Sequence, residues 1–135
     1  MHAVLRALAV GYAAGSLGAL ANSLFVVALA DAGVLRALGV AMAPQLAPSW
    51  LQPRLVWGGL FGLGLALPWP AGRWVRRGLL LSLVPTLVQL LVIFPWRAGQ
   101  GMLGLELGAA TPLVVLVVNA VWGVVASGAA RAARS

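Results

Sequence analysis

Residues 78–96, GLLLSLVPTLVQLLVIFPW, and residues 111–130, TPLVVLVVNAVWGVVASGAA, decide the fold. Neither run contains Asp, Glu, Lys or Arg, and each has the length of about 20 residues that carries a helix across roughly 30 Å of hydrocarbon. A glycine-rich connection carrying Glu106 joins them. This part of the chain also holds most of the polar groups that a membrane-embedded fold would bury: Ser82, Thr86, Gln89, Glu106, Asn119 and Ser127.

The rest of the chain has the same character. With 62% hydrophobic and 8% charged residues over 135 positions, it lacks the polar shell of a soluble domain. The nine basic residues are all Arg and only Asp31 and Glu106 are acidic, giving a formal charge of +7. On a soluble chain that balance would point to nucleic acid. Here the Arg residues sit singly or in small groups at the ends of apolar runs, where they set topology and meet anionic headgroups, so the expected partner is a lipid bilayer and no nucleic acid. The absence of Cys excludes disulfides, thiolate metal sites and thiol nucleophiles. His2 is the sole histidine, which excludes a haem or zinc site built from histidines in a bundle, and no cofactor or metal is expected.

Upstream, residues 7–30 form a first apolar run about 36 Å long as a helix. Gly11, Gly15 and Ala19 recur at every fourth position, with Ala14, Gly18 and Asn22 in a row beside them. Lipid supplies no hydrophobic force between helices, so such rows mark close packing. Ala28-Leu29-Ala30 before Asp31 also has the small-x-small form of a signal-peptidase site, whose use would leave three spans. The length of the run and its packing residues favour retention. Residues 31–49, broken by Pro44 and Pro48, are expected to hold a short interfacial helix with Val34, Leu38 and Met42 on one face and Asp31 as N-cap.

The second span is read as 50–69. Starting it at Leu55 would reach only about 21 Å, whereas Ser49 and Gln52 fit a Ser-x-x-Gln capping box. That start puts Trp50 and Trp69 about 28 Å apart, at the two headgroup levels. Arg54 then lies one turn inside and is expected to snorkel outward. Gly58, Gly62 and Ala66 form another small-residue row, ready for the first span. The third span, 77–96, carries Ser82, Thr86 and Gln89 on one face and should kink at Pro85. The fourth, 108–130, carries Asn119, Gly123 and Ser127 as a polar, close-packing row. Pro68-Trp69-Pro70-Ala71-Gly72 and Pro95-Trp96-Arg97-Ala98-Gly99 share a local pattern. It reads as an aromatic anchor followed by a helix stop, with an inverted repeat as the alternative.

The expected fold is therefore an all-α integral membrane protein, a single domain of four antiparallel transmembrane helices with one short interfacial helix between the first and second. Six Arg (Arg6, Arg73, Arg76, Arg77, Arg131, Arg134) against three (Arg36, Arg54, Arg97) place both termini in the cytoplasm, in a membrane of the bacterial inner type.

Chemistry is sparse. Gly99-Gln100-Gly101-Met102-Leu103-Gly104 matches G-x-G-x-x-G but has no strand, βαβ unit or downstream acid, so it reads as a turn. Ala14-Gly15-Ser16-Leu17-Gly18 lacks the first glycine of a nucleophile elbow, and no acid–base pair stands near a hydroxyl, so no enzyme is expected. Glu106 reads either as a cation- or proton-binding acid or as a headgroup-level partner of Arg97. Asn22, Gln89 and Asn119 fall near mid-span, as a polar path or as interhelical hydrogen-bond partners. In size and span count the chain is similar to the small multidrug exporters, without their acid in the first span. Its glycine-rich first and Asn-containing last spans resemble the small fluoride channels, without their phenylalanine and threonine signature. No family residues are carried over from either. The leading expectation is a homo-oligomeric transporter or channel for a small polar or cationic solute, with Glu106, Gln89, Asn119, Thr86 and Asn22 on the pathway. Gly11, Gly15, Gly18, Gly58, Gly62, Gly123 and Ser127 would then pack helices. The alternative is a non-catalytic accessory subunit whose small-residue rows dock on other membrane subunits.

Overall fold

The computed structural model describes residues 2–67 and 73–134. Trp69 as a headgroup anchor, and the Pro68–Gly72 copy of the aromatic–stop pattern, lie outside those residues. Helix α1 (His2–Asp31) is followed by a single turn α2 (Val34–Ala37), then α3 (Pro48–Gly62), which tightens into a 3-10 turn over Leu63–Ala66. Helix α4 (Trp74–Val88) widens into a π-helix over Gln89–Arg97. A 3-10 segment, Met102–Leu107, leads to α5 (Thr111–Arg134), and no strand occurs among the described residues. Three of these stretches are long and apolar enough to cross a membrane: His2–Asp31, Trp74–Arg97 and Thr111–Ala133.

The helix ends follow from local chemistry. Gly33, at φ 81, takes the left-handed conformation that stops α1. Asp31 is thus the last residue of α1 and not the cap of the next helix. The interfacial helix expected there is one turn long, with Leu35 buried and Val34 and Leu38 exposed. Helix α3 starts at Pro48, whose fixed φ suits the first helical position, after an extended Ala47. No side chain caps it, so the Ser49–Gln52 capping box is not used. Helix α5 starts at Thr111, later than the expected 108. Leu103 at φ 62, Gly104 at φ 69 and Gly108 at φ 146 keep the preceding backbone out of the helical region.

Contacts between small residues set the order α3, α1, α5, α4. Gly11 faces Gly62, and a Cβ on Gly11 would lie 2.6 Å from the Gly62 carbonyl oxygen. Gly15 packs on Gly58 and Gly62, Gly18 on Trp122 and Ala126, and Gly78 on Gly123. Contacts run up one helix as they run down its neighbour, so each packed pair is antiparallel. Three polar groups tie these crossings down. Trp122 Nε1 donates to the Gly15 carbonyl (2.9 Å), Ser16 Oγ to the Leu55 carbonyl (3.0 Å) and Ser127 Oγ to the Trp74 carbonyl (2.7 Å). Backbones this close gain dispersion along their length, which is the main source of helix association where water is absent.

The other face of α4 and of its π-helical continuation is uncovered. Leu79, Leu80, Leu83, Val84, Leu87, Leu91 and Val92 are all exposed, an apolar stripe that only lipid or another membrane helix would solvate.

Candidate functional site

Above the glycine contacts the same four helices are joined by polar side chains. Asn22 of α1 donates to the Val118 carbonyl (2.8 Å) and to Asn119 Oδ1 (3.2 Å). Asn119 of α5 donates in turn to Thr86 Oγ1 (3.2 Å) and Gln89 Oε1 (3.4 Å) on the α4 side. Thr86 Oγ1 donates to the Ser82 carbonyl (2.8 Å) and Ser82 Oγ to the Leu79 carbonyl (2.7 Å), a back-bonding pattern that favours a bend next to Pro85. Asn22, Thr86 and Asn119 are each at most 7% exposed, so the bonds matter: each interhelical one stabilises by about 0.6 kcal/mol in a membrane setting.

Arg54 completes the network from α3. Its Nε donates to Ser23 Oγ (2.9 Å), an Nη donates to Asn22 Oδ1, and its guanidinium lies 4.4 Å over the Trp50 ring. The snorkelling expected of Arg54 is replaced by inward bonding. The neutral oxygens of α1 offer the guanidinium partners, and an indole face beside it is a favourable surface for a cation.

Asn22, Arg54, Gln89 and Asn119 of this network line a cleft of about 260 Å³. Asn22 and Ala19 of α1 and Asn119 and Trp122 of α5 make its back. Pro53, Arg54, Trp57 and Phe61 of α3 make one wall, and Pro85, Val88, Gln89, Ile93 and Arg97 the other. Helices α3 and α4 barely touch along this stretch. They approach at the far end, where Gly64 stands against Leu81, which packs in one core cluster with Leu65. Four-residue steps put Gln89, Ile93 and Arg97 on one side of the π-helix, facing the cleft. Pro95 supplies no N–H there, and the helix ends with Ala98 N–H on the Ile93 carbonyl and Gln100 N–H on the Phe94 carbonyl, both 2.8 Å.

Of the pathway residues read from the sequence, Asn22, Thr86, Gln89 and Asn119 come together. Glu106 does not join them. It is exposed on the 3-10 segment, lies against Gly101 and does not line the cleft. Arg97, expected as its partner, stands in the cleft wall. The glycines of the G-x-G-x-x-G match have φ of 66 (Gly99), 79 (Gly101) and 69 (Gly104), all left-handed, which is turn geometry. Arg54 is the functional candidate that the sequence reading left out. The signal was in the register: one helical turn beyond the Gly15–Gly58 contact, α3 presents Arg54 to the α1 turn that carries Asn22 and Ser23.

The two cleft-lining cations have no acidic counterpart there, because Asp31 and Glu106, the only carboxylate side chains, both lie elsewhere. The arrangement offers hydrogen-bond donors, two positive charges and apolar walls. Among the described residues no group of His, Cys, Asp and Glu could hold a metal ion. The chain matches no family model, and neither a curated protein nor a solved structure is detectably similar to it.

Proposed function

We propose that this chain crosses a bilayer four times and binds a small polar solute in the cleft, as a transporter or channel. Helix α3 with its 3-10 continuation is the additional crossing: 15 helical residues and four tighter ones reach about 30 Å, the thickness of the hydrocarbon. The Arg distribution supports cytoplasmic termini in an inner-type membrane. The observation that carries the functional reading is the polar network, which joins four helices beside an open cleft in an otherwise apolar bundle. Polar groups at membrane depth are costly and mark solute pathways.

The charge of the cleft narrows the solute. Arg54 and Arg97 favour a neutral or negatively charged ligand, and the cationic solute expected from Glu106 loses its support. A homo-oligomer remains part of the proposal, since a single four-span protomer encloses little space by itself. The accessory-subunit reading rested on glycine rows free to dock partners. Those rows are occupied within the chain: Gly11 and Gly15 by α3, and Gly123 by α4.

The test is flux in liposomes for a panel of small neutral and anionic solutes. Gln89→Leu removes a cleft-lining amide that makes one long hydrogen bond, so it should fold and lower flux by about tenfold. A folded Gln89→Leu protein that moves every transported solute at the wild-type rate would sink the reading.

A further inference from the structure

The cleft is amphipathic in a way that a small hydrated solute does not need. Its charged groups, Arg54 and Arg97, stand beside walls built from Trp57, Phe61, Val88 and Ile93. We propose that the cleft seats an anionic membrane lipid, its phosphate held by Arg54 and Arg97 and one acyl chain lying in the gap between α3 and α4. This rests on the reading of the cleft as the ligand site and puts an amphipathic anion in place of a small solute as its occupant.

Charge complementarity is the first argument. Arg54 spends two of its five N–H donors on Ser23 and Asn22 among the described residues, both neutral. Its positive charge is therefore oriented by hydrogen bonds yet not neutralised by them. A phosphate is the group whose planar, multidentate recognition suits a guanidinium with donors to spare. Shape is the second argument. At about 260 Å³ the cleft is smaller than the roughly 300 Å³ at which enclosed ligand pockets begin, too small to swallow a lipid. It is, however, open between α3 and α4, where Trp57 is 55% exposed. A headgroup inside and a chain leaving through that gap fit both dimensions. An inorganic anion would satisfy the Arg residues and leave the indole, phenyl and aliphatic walls without a partner.

The full chain, reconstituted in nanodiscs of equimolar phosphatidylglycerol and phosphatidylcholine and then transferred to mild detergent, should retain phosphatidylglycerol when read by native mass spectrometry. Arg54→Gln should lower that retention about tenfold, and Arg97→Gln, at a more exposed position, about threefold. Val88→Trp fills the groove and leaves the Arg54 network intact, so it tests the proposal even if Arg54→Gln does not fold. It should lose the lipid while still binding inorganic phosphate. Equal retention of the two lipids, or unchanged retention in Val88→Trp, overturns the proposal. So does complete displacement of lipid by millimolar inorganic phosphate, which would make this a small-anion site. Absence of lipid with solute flux intact removes this inference alone. Retained lipid without flux in any assay leaves it standing and removes transport.

Discussion

The bundle has two ends built on opposite rules. At the end holding Gly11, Gly15, Gly62, Gly78 and Gly123, helix backbones meet with no side chain between them. At the end holding Asn22, Arg54, Thr86, Gln89 and Asn119, the same helices are linked by long polar side chains and α3 and α4 stand apart. The first arrangement leaves the helices little freedom to shift, because backbone meets backbone. The second holds helices through side chains that can exchange partners. On the transport reading, the first end holds the bundle together and the second is the end able to rearrange.

The sharpest way to break the comparison is at the glycine end. Gly15→Leu forces a side chain into the Gly58 carbonyl and to 2.8 Å from the Gly62 Cα already at its Cβ. It should cost about 3 kcal/mol or more, or prevent folding, read as thermal stability in detergent. Asn119→Leu at the polar end removes hydrogen bonds to Asn22, Thr86 and Gln89 and should cost about 1.8 kcal/mol. A loss as large as that of Gly15→Leu would show that the polar end is the structural one. Gln89→Leu, with one 3.4 Å bond at stake, should cost about 0.6 kcal/mol or less while lowering flux. Glu106→Gln should change stability by no more than about 0.5 kcal/mol and leave flux and lipid retention unchanged. A strong effect there would return the acid to the pathway.

The glycine end was the more legible in the sequence. A four-residue row of glycines has one use in a helix, so Gly11-Gly15 and Gly58-Gly62 could be matched before any geometry was known. Asn22, Thr86, Gln89 and Asn119 stood out because polar groups are scarce in such runs. Arg54 and Glu106 were less legible for one reason: the depth of a charge near a helix end depends on rotation and on what its neighbour offers. Sequence spacing does not reveal that Ser23 and Asn22 offer oxygens to α3, nor that Gly99, Gly101 and Gly104 bend Glu106 away. The π-helix was likewise hidden, since Pro95 explains a helix stop as readily as a widened turn.

The Arg54 contacts also bear on how the chain is made. On the four-crossing reading, α3 is the segment least able to enter a bilayer unaided, being short and carrying an arginine that costs about 2.5–3.5 kcal/mol near the centre of a helix. Synthesis delivers α1 first, and with it the amide and hydroxyl that receive the guanidinium. The two segments are thus suited to leave the insertion machinery as a preformed hairpin, with the earlier helix acting as escort for the charge on the later one.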